Sequence, residues 1–237
     1  MLQGSAEMSE RFGFPVPDWQ RCPEPDFRTL AGAHVQLERL SVGEHATELH
    51  AANIVDDAIW DYLPYGPFLD QASYAAWVEA VAEKSDPYFM AIRPSATGGA
   101  CGVASLLRIE PDVGVIEAGH LNFAPALQRT AAATEALFLL IDWAFDAGYR
   151  RFEWKCDALN MPSRRAAERL GFQFEGIFRQ ATIYKGRNRD TAWFSIIDTE
   201  WPALRRAYVD WLDAPNFDAE GRQRAPLSAC IAQQTGG

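Results

Sequence analysis

The sequence predicts a mixed α/β (α+β) fold with both hairpins and helical crossovers. Three observations carry this reading. Short apolar runs bounded by turn residues recur along the chain as strands. Between them lie stretches with apolar residues three and four apart, the pattern of half-buried helices. The 237 residues, 48% hydrophobic and 23% charged, make an ordinary folded chain, long enough to bury a core without disulfide staples.

The elements follow in order. Residues 1–32 are punctuated by Pro15, Pro17, Pro23 and Pro25, and proline disfavours helix and central strand alike. They read as an extended arm. Phe12, Phe14, Trp19 and Phe27 favour an arm packed on this subunit or a partner, since disordered tails are poor in aromatics. Residues 34–40 alternate as a strand, and a helix is expected over 42–53. An aromatic, turn-rich region with Trp60, Tyr62, Tyr65 and Phe68 precedes a helix capped by Asp70 or Ser73 and running to about Lys84. Strands are expected over 88–93, 100–110 and 115–123. The clearest helix spans 130–147, with Leu137, Leu140, Ile141, Ala144 and Phe145 on one face and Gly148 as its stop. A strand over 151–157 leads to a short helix capped by Asn160 and ending at Gly171. Two strands, 174–184 and 192–198, are joined by a basic loop over 185–190. Thr199 is expected to cap a last helix, and the polar tail after Asp213 to be loose.

Composition narrows the function. The net charge of −10 argues against a nucleic-acid binder, which needs a basic surface. It favours a cationic or neutral partner. The most apolar stretch, 135–145, carries Asp142 and falls short of the ~20 residues of a membrane span. The N-terminus has no basic region followed by an apolar core, so no secretory leader is expected. Cys22, Cys101, Cys156 and Cys230 are widely spaced, which points to a reducing, cytoplasmic setting. No phosphate-loop, dinucleotide or nucleophile-elbow motif is present. The glycines at 98–102 precede a strand and read as a hairpin turn. His34, His45, His50 and His120 lack metal-site spacing.

The informative stretch is 115–171. A strand runs into Gln128-Arg-Thr-Ala-Ala-Ala133 at the start of the clearest helix. Small residues at a helix start leave unpaired N–H groups that, with the helix dipole, hold a phosphate. Arg129 adds positive charge. Further on come Asn160-x-x-Ser163 and Leu170-Gly-Phe-Gln-Phe-Glu175-Gly.

Together these residues resemble the GNAT superfamily of N-acetyltransferases, and most of all its RimJ/RimL-type branch. Ala131 stands where the family usually has glycine. The resemblance covers about 34–198 and implies a mostly antiparallel sheet of about seven strands flanked by helices. It implies an acyl-CoA N-acyltransferase domain over 33–199, with the arm over 1–32 and a helix and tail over 200–237 added. It implies acetyl-CoA as cosubstrate. Pantetheine would lie along the free edge of Leu121, Asn122 and Phe123. Gln128, Arg129, Thr130, Ala131, Ala132, Ala133 and Thr134 would hold the pyrophosphate, and Asn160 and Ser163 would touch the pantetheine arm. The acceptor would be a primary amine, either a protein N-terminus or a small amine, attacking the thioester directly in a ternary complex. A protonated amine needs a base, for which Glu117 is the first candidate and His120 the second. Ser163 would donate to the departing thiolate. The aromatics at 60–68 would border the acceptor, and the loop at 185–190 would touch either the acceptor or the CoA 3′-phosphate. A homodimer is expected. The competing readings are a CoA-binding regulatory or assembly module without turnover, and a structural dimeric protein.

Overall fold

The computed structural model describes residues 11–236. One eight-stranded sheet organises them. Its strands are β1 (Thr29–Ala31), β2 (Val35–Arg39), β3 (Tyr88–Pro94), β4 (Gly102–Glu110), β5 (Val115–Phe123), β6 (Arg151–Asp157), β7 (Gln173–Tyr184) and β8 (Arg187–Ile197). The spatial order is β1-β2-β3-β4-β5-β6-β8-β7. Only the β5–β6 pair is parallel. A parallel neighbour needs a crossover, here helix α3 (Ala131–Asp146).

Alternation along the strands feeds two cores. On one face Leu37, Met90, Ile92, Leu106, Ile116, Phe152 and Phe194 pack with Leu140 and Ile141 of α3. Leu204 and Tyr208 of α5 (Trp201–Leu212) close that core. On the other face Phe89, Ala91 and Val103 pack against Leu49 of α1 (Val42–Asn53) and Tyr74 and Val78 of α2 (Gln71–Ala82). The remaining helices are α4 (Met161–Arg169) and α6 (Leu227–Thr235). Helix α3 starts where expected because the Thr130 hydroxyl oxygen accepts the Ala133 N–H at 3.1 Å. It stops before Gly148, whose φ of +91° suits glycine.

Several local expectations change. An eighth strand, β1, pairs Thr29–Ala31 with β2. Its turn is held by the buried Glu135 carboxylate of α3, which accepts the N–H groups of Ala33 and His34 at 2.9 and 2.6 Å. From Trp19 onward the arm packs on its own chain, while Phe12 and Phe14 are exposed and residues 1–10 lie outside the described residues. The Trp19 indole donates to the Asp112 carbonyl, the Tyr149 hydroxyl donates to the Pro23 carbonyl, and Phe27 lies against Trp143. The basic loop over 185–190 is mostly strand. Tyr184 faces Arg187, so Lys185 and Gly186 alone make the turn, both at positive φ (48° and 71°) as the favoured two-residue hairpin requires. Thr199 does not cap α5, since Glu200 holds the N-cap position and no side chain closes the cap. The tail over 214–236 is folded and not loose, because Leu227 and Cys230 of α6 are buried in the first core.

Candidate active site

The sheet opens between its two parallel strands. Strands β5 and β6 pair from Val115↔Arg151 to Ala118↔Trp154 and no further. Beyond that, β6 keeps its β8 partner to Asp157↔Thr191, while β5 keeps β4 to Phe123↔Gly102. A bulge lies in β5 where the strands part, with His120 at a φ of +51°. Bulges bend a strand and disrupt its ladder locally. The result is a cleft of about 1360 Å³ that runs through the gap. It reaches Tyr62 and Leu63 beside the second core, and Arg129 and Arg169 at the other end. Its size exceeds the roughly 300–1,000 Å³ of a pocket for one drug-sized ligand.

One end is built for an anion. Thr130 Oγ1 takes the Ala133 N–H, the Thr130 carbonyl takes that of Thr134, and the Leu127 carbonyl takes that of Thr130. The N–H groups of Arg129, Ala131 and Ala132 have no partner among the described residues. The expected cradle over 128–134 therefore comes down to these three donors. Arg129 has a φ of +63°, a left-handed kink that turns the loop into the helix. Ala131 does not have positive φ, so the backbone demands no glycine there. Gln128 donates to the Phe123 carbonyl at 2.9 Å, which shapes the loop. Arg165 and Arg169 also line this end. Arg129, Arg165 and Arg169 have no carboxylate partner among the described residues.

The other end holds Glu117. Its side chain is 3% exposed and sits in a chain of ion pairs. Arg108 and Lys155 contact its Oε2 at 2.6 and 2.9 Å. Lys155 reaches Glu153 at 2.6 Å, and Arg151 joins Glu153 at 2.7 Å to Glu175. The Lys155 ammonium also lies 3.8 Å from the Trp193 ring centre. Two cations thus share one oxygen of Glu117. Gly119 leaves no room for a Cβ, which would meet a Leu107 methyl at 2.7 Å.

His120 sits close by, stacked on Tyr65 with its Nδ1 3.2 Å from the Tyr65 hydroxyl. Burial, with Arg108 and Lys84, lowers its pKa to about 4. Burial pushes the Tyr65 phenol up. The phenol therefore donates to Nδ1, and the imidazole is neutral with its proton on Nε2. Ser163 lines the cleft and accepts the Trp154 indole N–H at 3.0 Å, which leaves its own proton to donate elsewhere. The Asn160 side chain accepts the Ser163 N–H at 3.1 Å, as an N-cap should. Leu121 and Phe123 line the cleft. Asn122 does not, since its side chain is buried with both polar atoms unpartnered, so only its backbone can face a ligand. Of the aromatics at 60–68, Tyr62 lines the cleft, while Trp60 belongs to the second core and Tyr65 and Phe68 pack against it. Lys185 donates to the Trp60 carbonyl at 2.7 Å.

Sequence reasoning missed Arg108, Lys155, Arg165 and Arg169. Lys155 carried a usable signal. In β6 the residues Glu153, Lys155 and Asp157 alternate with buried Phe152, Trp154 and Cys156, so three charges share one face.

Comparison with known proteins agrees with this geometry. Residues 34–173 match the model of the acetyltransferase (GNAT) domain. The chain is 44% identical to a GCN5-related N-acetyltransferase from Brucella melitensis, with a TM-score of 0.89 over 91% of this chain and 99% of that one. It is 40% identical to a probable acetyltransferase of the GNAT family from Chromobacterium violaceum, with a TM-score of 0.76 over 81% of this chain and 96% of that one. At 21% identity, the microcin C7 self-immunity acetyltransferase MccE, solved with acetyl-CoA and AMP, shares the fold with a TM-score of 0.62 over 70% of this chain and 93% of that one. No curated protein matches the chain. The chain belongs to the GNAT family of acetyltransferases.

Proposed function

We propose that this protein transfers an acetyl group from acetyl-CoA to a cationic primary amine, either a protein N-terminus or a small amine. One observation carries the reading. A single cleft crosses the sheet between β5 and β6, with free N–H groups and arginines at one end and Glu117 at the other. The described residues fit the cosubstrate. Arg129, Ala131 and Ala132 offer three free donors for the pyrophosphate. The edge of β5 from Gly119 onward offers unpaired backbone for pantetheine.

Acetyl-CoA, when bound, supplies the acetyl group as a thioester. Glu117 takes the proton from the acceptor ammonium, and the freed amine is positioned to attack. The Ser163 hydroxyl donates to the departing sulfur. His120 is a poor base here, because a nitrogen with a pKa of about 4 holds a proton poorly at neutral pH. Direct attack suits the site better than an acyl-enzyme. Cys156 also lines the cleft, but burial pushes its thiol above the ordinary value and keeps it protonated. Asp56 and Asp61 at the acceptor mouth favour a cation.

The RimJ/RimL-type branch and the domain limits 33–199 belong to the same proposal, as does a cytoplasmic setting, which the four free buried cysteines suit. So does a homodimer. Edge strand β7 exposes Phe174, Ile177, Phe178 and Ile183, and an exposed apolar edge invites a second copy. Light scattering should give twice the 26.4 kDa chain mass. The function is tested by following free thiol release from acetyl-CoA across a broad amine panel. Amine-dependent release is expected. Binding without release from any amine would leave only a CoA-binding module.

A further inference from the structure

Strand β8 alternates between the two faces of the sheet. Ala192, Phe194 and Ile196 enter the first core with α3. Arg189, Thr191 and Trp193 therefore stand on the opposite face, which also carries Lys155 and Asp157 of β6. Thr191 lies across from Asp157 at the end of β6. Arg189 comes two residues further along, where β6 has ended and β7 alone remains as a partner. Arg189 lines the cleft there. The segment holding Trp60 and Tyr62 is tied to this end of the sheet, since the Tyr62 hydroxyl donates to the Leu159 carbonyl at 3.2 Å and Lys185 to the Trp60 carbonyl at 2.7 Å.

The Arg189 guanidinium is not used by the fold. The residue is half-buried, and its Nε is buried with no hydrogen-bond partner. No carboxylate comes within ion-pair distance of it among the described residues. The acidic residues around it are engaged elsewhere. Asp157 accepts the Leu159 N–H at 2.8 Å and the Tyr184 hydroxyl at 2.9 Å. Asp190 accepts the Gln180 N–H at 2.7 Å and the Asn188 amide at 3.0 Å. The Tyr184 ring centre lies 5.9 Å from the guanidinium carbon. A guanidinium carries five donors, and a buried donor without an acceptor costs free energy that a ligand can return. Arg129, Arg165 and Arg169 stand at the anion end of the cleft near α3, so Arg189 is a separate cation on the other face.

We propose that Arg189 binds a carboxylate of the acceptor, so that the preferred acceptor is elongated, with its amine at one end and an acidic group some way along. This rests on reading the cleft as the site of amine acetylation. Arg108 and Lys155 both contact Oε2 of Glu117, so Oε1 is the oxygen left for the amine. Glu117 is level with Glu153, four residues before Asp157, and Arg189 lies two positions beyond the Asp157 row. Six strand positions at ~3.3 Å each put the two rows about 20 Å apart at the backbone. The side chains shorten that distance, but a free α-amino acid, whose amine and carboxylate share one carbon, does not span it. A peptide N-terminus with an acidic residue close behind it does, and so does a small ω-amino acid. A guanidinium takes a carboxylate through two parallel hydrogen bonds, which fixes direction as well as strength. The ammonium then faces Glu117 while the carboxylate faces Arg189.

The test is thiol release from acetyl-CoA by the full chain with matched acceptor pairs. One pair is ω-aminohexanoate beside hexylamine. Another is a short peptide with aspartate in second place beside the same peptide with asparagine there. A third is alanine beside alaninamide. In at least one of the first two pairs kcat/KM should favour the carboxylate member by about tenfold, the worth of one charged hydrogen bond, and the pair that shows it tells a small acceptor from a peptide. Alanine should gain nothing over its amide. Arg189→Gln should erase the preference through KM, and Arg189→Lys, which keeps the charge, should retain part of it. Acetyl-CoA affinity by calorimetry should be the same in both variants, which shows that they fold. No preference in either of the first two pairs, an equal preference for alanine, or a preference that survives Arg189→Gln would overturn the proposal and leave amine acetylation standing. No release with any amine would overturn both.

Discussion

The two ends of the cleft are built on different principles. The end proposed for the nucleotide is mostly backbone: three N–H groups freed by a helix start, with arginines around them. The end proposed for the acceptor is made of side chains, a buried carboxylate balanced by Arg108 and Lys155 beside aromatic rings. A helix start needs only small residues and a cap, so a short motif specifies it. A buried ion-pair chain is assembled from β4, β5, β6 and β7, and no local motif specifies it. For this reason the donor of such an enzyme is legible from sequence and its acceptor is not.

The contrast can be broken from either side. The largest effect is expected from Glu117→Gln. It should lower kcat by roughly 10²–10⁴-fold, the span of general-base catalysis, and leave acetyl-CoA affinity within about twofold. Steady-state kinetics beside calorimetry separate the two. Ala131→Asp is the mirror experiment. A carboxylate placed at the free N–H groups suits a helix N-terminus, so folding survives, but it repels phosphate. Acetyl-CoA affinity should fall by about a hundredfold, which calorimetry reads as about 2.7 kcal/mol. Ser163→Ala should lower kcat by about tenfold, the worth of one hydrogen bond to a developing charge, with affinity little changed.

A further effect, read as stability and not as rate or affinity, is expected at low pH. His120 has its folded pKa lowered to about 4 from the ordinary value of 6.5, mainly by burial. Between those values the unfolded chain binds the extra proton, so stability is full above pH 6.5 and falls as pH drops toward 4. The loss is at most about 3 kcal/mol. Denaturant unfolding at a series of pH values should show a flatter slope for His120→Asn. An unchanged slope would mean that the imidazole is not buried neutral against Tyr65.

The same division explains what was readable beforehand. Helix α3 and its cap were legible because Thr130, Leu137, Leu140, Ile141 and Gly148 fall at fixed spacings along one element. Strand β1 was not, because three residues carry no periodicity and its turn depends on Glu135, far off in sequence. The 185–190 segment looked like a polar loop because β7 and β8 extend past the core, where both faces tolerate charge. The tail looked loose because its polarity hid two anchors, Leu227 and Cys230. At the site, Glu117 was visible as a carboxylate near the motif. Its partners were not, since Arg108 sits at a bulge with a φ of +46° and Lys155 reads as a solvated lysine until β6 is placed beside β5.

Thermal unfolding with acetyl-CoA, beside ATP and NADH, tests most directly that the cleft is an acetyl-CoA site whose two ends work separately. At a hundred times its Kd, acetyl-CoA should stabilise the protein by about 2.7 kcal/mol, a rise of about 5–11 °C in Tm for a chain of this size. The rise should persist in Glu117→Gln and shrink to about 1–2 °C in Ala131→Asp. No rise with acetyl-CoA, or an undiminished one in Ala131→Asp, would contradict the assignment of the cleft.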